Sequence, residues 1–111
     1  MIEATLISFL ETKLTVPVYA TRPENDPGEY VIVEKTGSTM TNQIYDVTVA
    51  IQSYSDTLLG AATLNEDVKD AMVDLYSETN VGRVKLVTDY NYTNTAAKKY
   101  RYQAVYNVIE Y

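Results

Sequence analysis

The chain has no histidine and no cysteine. It therefore lacks the imidazole that serves most often as general base and metal ligand near neutral pH, and the thiolate that serves as a nucleophile. Without cysteine there is no disulfide scaffold either, so the fold does not depend on an oxidising compartment and suits a reducing cytoplasm. Glycine and proline are scarce, at four and three residues, which argues against disorder. No apolar run approaches the roughly 20 residues that a membrane span requires. The N-terminus lacks the basic start and apolar stretch of a secretory signal, so neither export nor a membrane partner is expected. Positive charge is also in short supply. Nine basic residues stand against fifteen acidic ones, and the net charge of −6 opposes a phosphate backbone, so sequence-specific nucleic-acid binding is not expected.

What is present is the composition of an ordinary folded protein, 46% apolar and 22% charged over 111 residues, enough for a single domain spanning residues 1–111 around one modest core. Eleven tyrosines stand out, with Tyr100, Tyr102, Tyr106 and Tyr111 in the closing run.

Ile2, Leu6, Phe9 and Leu10 recur at helical spacing and predict an amphipathic helix ending near Leu14, since Pro17 forbids its continuation. Residues 16–20 read as a short extended segment, 21–29 as a turn-rich loop and 30–36 as a β-branched strand. Residues 37–43 read as a polar, flexible loop before a strand over 44–54, where Tyr45, Val47, Val49 and Ile51 alternate with polar positions. Ser55 or Asp56 is the expected cap of a second helix running to about Tyr76. Wound at roughly 100° per residue, that helix gathers Ala61, Leu64, Val68, Ala71, Met72 and Leu75 into one stripe and sets its acidic residues opposite. Two strands over 83–92 and 99–111, joined by a polar loop over 93–98, complete an α+β fold. The expectation is a mainly antiparallel sheet of four to five strands with two helices packed on one face. In the last strand Tyr100, Tyr102, Ala104, Tyr106 and Val108 form the set expected to face the helices.

Carboxylates are the one plausible catalytic material, with Glu66, Asp70 and Asp74 along a helical face. An exposed face supplies no apolar cleft to shift their pKa values, so neither catalysis nor a cofactor is expected, and their spacing matches no calcium loop, so no metal is expected. Thr36-Gly37-Ser38-Thr39 lacks the lysine and helix of a phosphate cradle and reads as the start of a hairpin loop. Asn91-Tyr92-Thr93 matches a glycosylation triplet, which matters only in a secreted eukaryotic protein. Lys98, Lys99 and Arg101 interleaved with Tyr100 and Tyr102 have the chemistry of a single-strand stacking patch, but alternating charge and tyrosine is also what a half-exposed strand shows. Leu59 and Val73 fall outside the core stripe at the edge of the acidic face and form a second, weaker apolar seam. With Met40 in the 37–43 loop, and with Val105, Ile109 and Tyr111 on the mixed face of the last strand, they are the candidate subunit or partner interface.

The order and spacing of several segments resemble the tail-completion, tail-terminator or tail-to-head joining proteins of long-tailed bacteriophages. These are the opening helix, Val16-Pro17-Val18-Tyr19, Tyr30-Val31-Ile32-Val33-Glu34, the strand ending in Ile51-Gln52-Ser53-Tyr54, the helix over 61–75, and Arg101-Tyr102-Gln103 with Tyr111. The resemblance implies a non-enzymatic virion protein, assembled in the bacterial host cytoplasm, that forms a ring, commonly a hexamer, at the head-proximal end of the tail. Its partners would be further copies of itself, the tail-tube protein and the head connector or a neck protein. A channel that passes DNA benefits from a wall that repels phosphate, so Glu66, Asp67, Asp70 and Asp74 are the candidates to face the lumen or its rim. A head-completion or adaptor role in the neck is the alternative, followed by a small ligand-binding domain.

Overall fold

The structure, a computed structural model, describes residues 2–78, 81–93 and 99–111. Helix α1 (Ile2–Lys13) is followed by β1 (Val18–Tyr19), β2 (Tyr30–Thr41), β3 (Ile44–Ser55), helix α2 (Leu58–Met72), a 3-10 turn (Leu75–Ser77), β4 (Val81–Asn91) and β5 (Tyr100–Glu110). The strands form one sheet in the order β1-β2-β3-β5-β4. All neighbours are antiparallel except β1 and β2, which run parallel through Val18↔Val31 and Tyr19↔Ile32. The fold is the α+β class expected, with both helices on one face of a five-stranded sheet.

The helix-covered face holds the main core. Ile2, Leu6, Phe9 and Leu10 of α1 and Leu64, Val68, Ala71 and Met72 of α2 pack on Val31, Val33, Val49, Ile51, Ala104 and Val108 of the sheet. Because side chains alternate across a strand, these sheet positions follow directly from the register Val33↔Ile51↔Ala104. Leu6 and Leu10 are fully buried, and truncating either to alanine is expected to cost about 2–5 kcal/mol. Leu75 is buried too, but from the 3-10 turn, because the second helix stops at Met72 and does not reach Tyr76. In the last strand Ala104, Tyr106 and Val108 face the helices as expected, whereas Tyr100 is 39% exposed at the strand's start.

The cap of α2 is neither of the expected residues. Thr57, extended at φ −129° and ψ 152°, accepts from the Gly60 amide at 2.9 Å through its side chain. Ser55 is the last residue of β3 and almost fully buried, and Asp56 is turned toward Lys99, so both were already engaged. The loop expected over 37–43 is likewise corrected. β2 continues through a bulge at Lys35/Gly37 to Thr41, pairs with β3 down to Thr41↔Ile44, and turns tightly at Asn42 and Gln43. Both turn residues have positive φ, 52° and 66°, the pattern of the mirror-image turn whose twist matches that of a hairpin. This arm read as a loop because its residues are exposed on both faces and carry no apolar alternation. The loop expected over 93–98 falls almost entirely on residues 94–98, outside the described residues.

Two sheet edges are open among the described residues. β4 has no neighbour on its outer side, and β2 is covered there by β1 only at Val31 and Ile32.

Candidate functional site

The face of the sheet away from the helices is closed by its own side chains. Tyr30 of β2 and Tyr54 of β3 are directly paired and stack at 4.7 Å with an interplanar angle of 12°. Tyr19 of β1 meets Tyr30 edge-on at 6.1 Å. On the other side Arg101 of β5, paired with Tyr54, places its guanidinium 5.6 Å from the Tyr54 ring centre and 4.2 Å from that of Tyr92, which follows β4. Tyr92 in turn meets Tyr90 edge-on at 5.7 Å. The resulting ladder crosses the whole sheet. Each aromatic or cation–aromatic step of this kind contributes about 0.5–1.5 kcal/mol.

Beneath the ladder runs a polar chain. Arg101 donates to the Tyr54 hydroxyl at 3.0 Å, Tyr54 donates to the Gln52 side-chain oxygen at 2.9 Å, Gln52 donates to Gln103 at 3.0 Å, and Gln103 donates to the Tyr90 hydroxyl at 2.7 Å. Each buried amide is thereby satisfied, which explains how Gln52 and Gln103 sit inside a small protein without large cost. The signal for this face was faint. Tyr54 lies two residues from Gln52 and Arg101 two from Gln103, so each pair shares a face, but nothing local says that the pairs lie opposite one another.

The basic cluster is taken apart by the fold. Lys99, 5% exposed, donates to Asp26 and Asp56, each at 2.9 Å, and to the Gly28 carbonyl, and its ammonium lies 5.5 Å from the Tyr30 ring centre. Burial alone would lower its pKa, but the hydrogen bonds to Asp56 and Asp26 outweigh burial and raise it. Asp26 is correspondingly held below the usual carboxylate value, first by Lys99 and then by the Gly28 amide. With Lys99 buried and Arg101 held between two tyrosines, neither is a free phosphate contact, and Lys98 lies outside the described residues. Asn91 of the glycosylation triplet uses its side-chain oxygen to accept from the Thr93 amide at 3.1 Å, which closes a local turn.

The acidic residues of α2 divide. Glu66 pairs with Lys69 at 2.9 Å, and Lys69 reaches Asp89 of β4 at 3.0 Å, where Asn65 also donates at 2.9 Å. Glu66 and Asp89 together raise the Lys69 pKa, and Lys69 holds Asp89 low. Asp67 and Asp70, with Asp74 just past the helix, line a groove of about 690 Å³ between α2 and the end of α1, together with Leu59 and Glu29, and Asp70 also borders the groove on the other flank. Val73 belongs to a separate groove of about 490 Å³ on the β4 side of α2, so Leu59 and Val73 do not share one seam. Met40 is exposed near the tip of the β2–β3 arm, and Val105 and Ile109 are half-buried on the ladder face. Tyr111 is exposed but lies over Gly82, where an added Cβ would fall 2.3 Å from its ring. Among the described residues no group of three or more carboxylates is arranged to hold a metal ion.

The fold and these surfaces define an α+β sheet protein with one helix-covered face, one face sealed by a tyrosine–arginine ladder, and grooves flanking its second helix. No family model matches the chain, and no curated protein matches it. Among solved structures it is similar to a chain in the virion of a native gene transfer agent particle, at 16% identity and a TM-score of 0.63. The match covers 96% of this chain and 84% of that one.

Proposed function

We propose that the chain is a structural component of a phage-like virion, and that it acts as a ring at the head-proximal end of the tail, where it ends the tube and joins it to the head. What supports the virion role is the similarity to a virion chain over 96% of this sequence. The order of segments that resembles tail-completion proteins supports the position at the tail end. The fold is compatible with a non-enzymatic role, because Lys99, Arg101, Glu66 and Asp89 are each engaged with partners in the same chain.

The test is incubation of the purified protein with tail tubes and, separately, with head connectors, followed by electron microscopy and light scattering. Capture at one end of each tube and arrest of tube growth is the expected result. Binding to connectors with no effect on tubes would replace the tail-end position with a head-side one. Indifference to both would overturn the virion role.

A further inference from the structure

Helix α2 forms a ridge between two unlike grooves. On its α1 side the groove is acidic, with Glu29, Asp67, Asp70 and Asp74 against one described cation, Lys13, which already lies 3.7 Å from Asp74. Leu59 lines the same groove and is 78% exposed, the most exposed of the described large apolar residues. On the β4 side the groove is lined by Met72, Val73, Val84 and Leu86 with Arg83, and with Lys69, whose charge is met by Glu66 and Asp89. Asp70 stands on the crest of the ridge and borders both grooves. Its margin continues along β4 through Lys85 to Val87, which is 57% exposed at a bulge between Leu86 and Thr88. That strand's outer edge is unpaired among the described residues.

The β4 edge carries two cations, Arg83 and Lys85, with no carboxylate paired to them among the described residues, whereas the other groove holds an excess of carboxylates. An acidic surface with a protruding leucine faces one way, and a strand edge with Val87, beside the exposed Val73 at the end of α2, faces the other. The two lie on opposite flanks of one helix, so a single copy cannot bring them together, whereas two copies can. We propose that the acidic groove of one copy receives the β4 margin of a second copy, with Leu59 packing against Val73 and Val87, and Arg83 and Lys85 facing Asp67 and Asp70. Two different surfaces meeting in this way make a head-to-tail contact, which repeats from copy to copy and closes into a ring when the rotation per copy permits. Opposite charges steer the approach and fix the register, and the apolar contact supplies the adhesion. This contact rests on the proposed ring, and it gives Asp67 and Asp70 a place between subunits in exchange for a place on the lumen wall.

The absence of cysteine makes the test direct, because an introduced thiol is the sole one in the chain. Leu59→Cys and Val87→Cys chains, checked for native circular dichroism, are mixed in equal amounts and oxidised. The expected product is the mixed disulfide dimer, at least fivefold above either homodimer and above a control pair of Leu59→Cys with Thr41→Cys. Adding D67K and D70K to the Leu59→Cys chain abolishes that preference, and adding R83E and K85E to the Val87→Cys chain as well restores it. If the lysine variant does not fold, D67N and D70N replace it and reduce the preference without reversing charge. Homodimers in equal yield, or a mixed dimer indifferent to the charge changes, overturn the contact. Non-selective cross-linking by a chain that still caps tube ends would leave the virion role standing, and selective cross-linking by a chain that ignores tubes and connectors would do the reverse.

Discussion

Lys99 holds Asp56 at 2.9 Å across 43 residues of sequence, tying the start of β5 to the residue before the cap of α2. The two partners differ in environment, with Lys99 5% exposed and the Asp56 side chain 73% exposed. Removing the lysine therefore frees carboxylates that water can reach, and methionine fills the same alkyl path. Lys99→Met is expected to cost about 1–2 kcal/mol in urea unfolding. Removing both acids leaves a buried ammonium with the Gly28 carbonyl and the Tyr30 ring as its neighbours, so D26N/D56N is expected to cost more than Lys99→Met. The reverse order would show that the ion pairs do not stabilise the fold.

The same pairs set a pH dependence. Asp26 and Asp89 are held below the ordinary carboxylate value, by Lys99 and Lys69 respectively, so the unfolded chain binds more protons than the native one as the pH falls. Their contribution is fully present above about pH 5 and is lost as the pH falls through their depressed native values. Lys69 and Lys99 are raised, so the corresponding contribution is present below their unfolded value, about 10.4, and is lost as the pH rises beyond it. The urea midpoint is expected to hold steady near neutrality and to fall at both ends. A Lys69→Met and Lys99→Met double variant is expected to show a shallower acid limb, and an unchanged limb would count against this origin.

Gly60 lies in the first turn of α2, where helix propensity alone predicts that alanine would stabilise by about 1 kcal/mol. The local geometry predicts the opposite. A Cβ at Gly60 would lie 2.3 Å from the Ser55 hydroxyl and 2.8 Å from the Thr57 hydroxyl, the group that caps the helix. Displacing that cap costs about 1 kcal/mol, and crowding the buried Ser55 adds to it. Gly60→Ala is expected to lower the thermal midpoint, and a rise would show that the turn relaxes freely.

At the tip of the long hairpin, Gln43 adopts φ 66°. Left-handed backbone costs a side-chain-bearing residue about 1–2 kcal/mol, and glycine loses about 0.5–1 kcal/mol of unfolded-state freedom in exchange. Gln43→Gly is therefore expected to stabilise by about 0.5 kcal/mol and to slow hydrogen exchange at the amides that pair the distal arm. Rapid exchange of that arm in both proteins would mean that it does not hold its pairing in solution.

The elements with one buried face were legible because their periodicity is imposed by the core. Ile2, Leu6, Phe9 and Leu10 read as a helix, and Val47, Val49 and Ile51 as a strand, before any partner was known. The distal arm around Met40 was not legible, because a strand exposed on both faces loses its alternation and keeps only its turn. Lys99 failed for a related reason. A lysine beside Arg101 and Tyr100 reads as surface, and its burial depends on Asp26, 73 residues away in sequence. The acidic stripe of α2 was visible, but its division was not, since Lys69 and Asp89 draw Glu66 to one flank while Leu59 marks the other.

The strand order has a bearing on how the protein is made. β5 is the last strand in the sequence, yet it lies between β3 and β4. A nascent chain synthesised only through Asn91 lacks the strand that pairs with β3 on one side and with β4 on the other. The tyrosine–arginine ladder and the Lys99 bonds also wait for residues from 99 onward. The β4 margin thus takes its final shape only after translation has passed β5, so the contact proposed between copies is open only to chains synthesised beyond that strand.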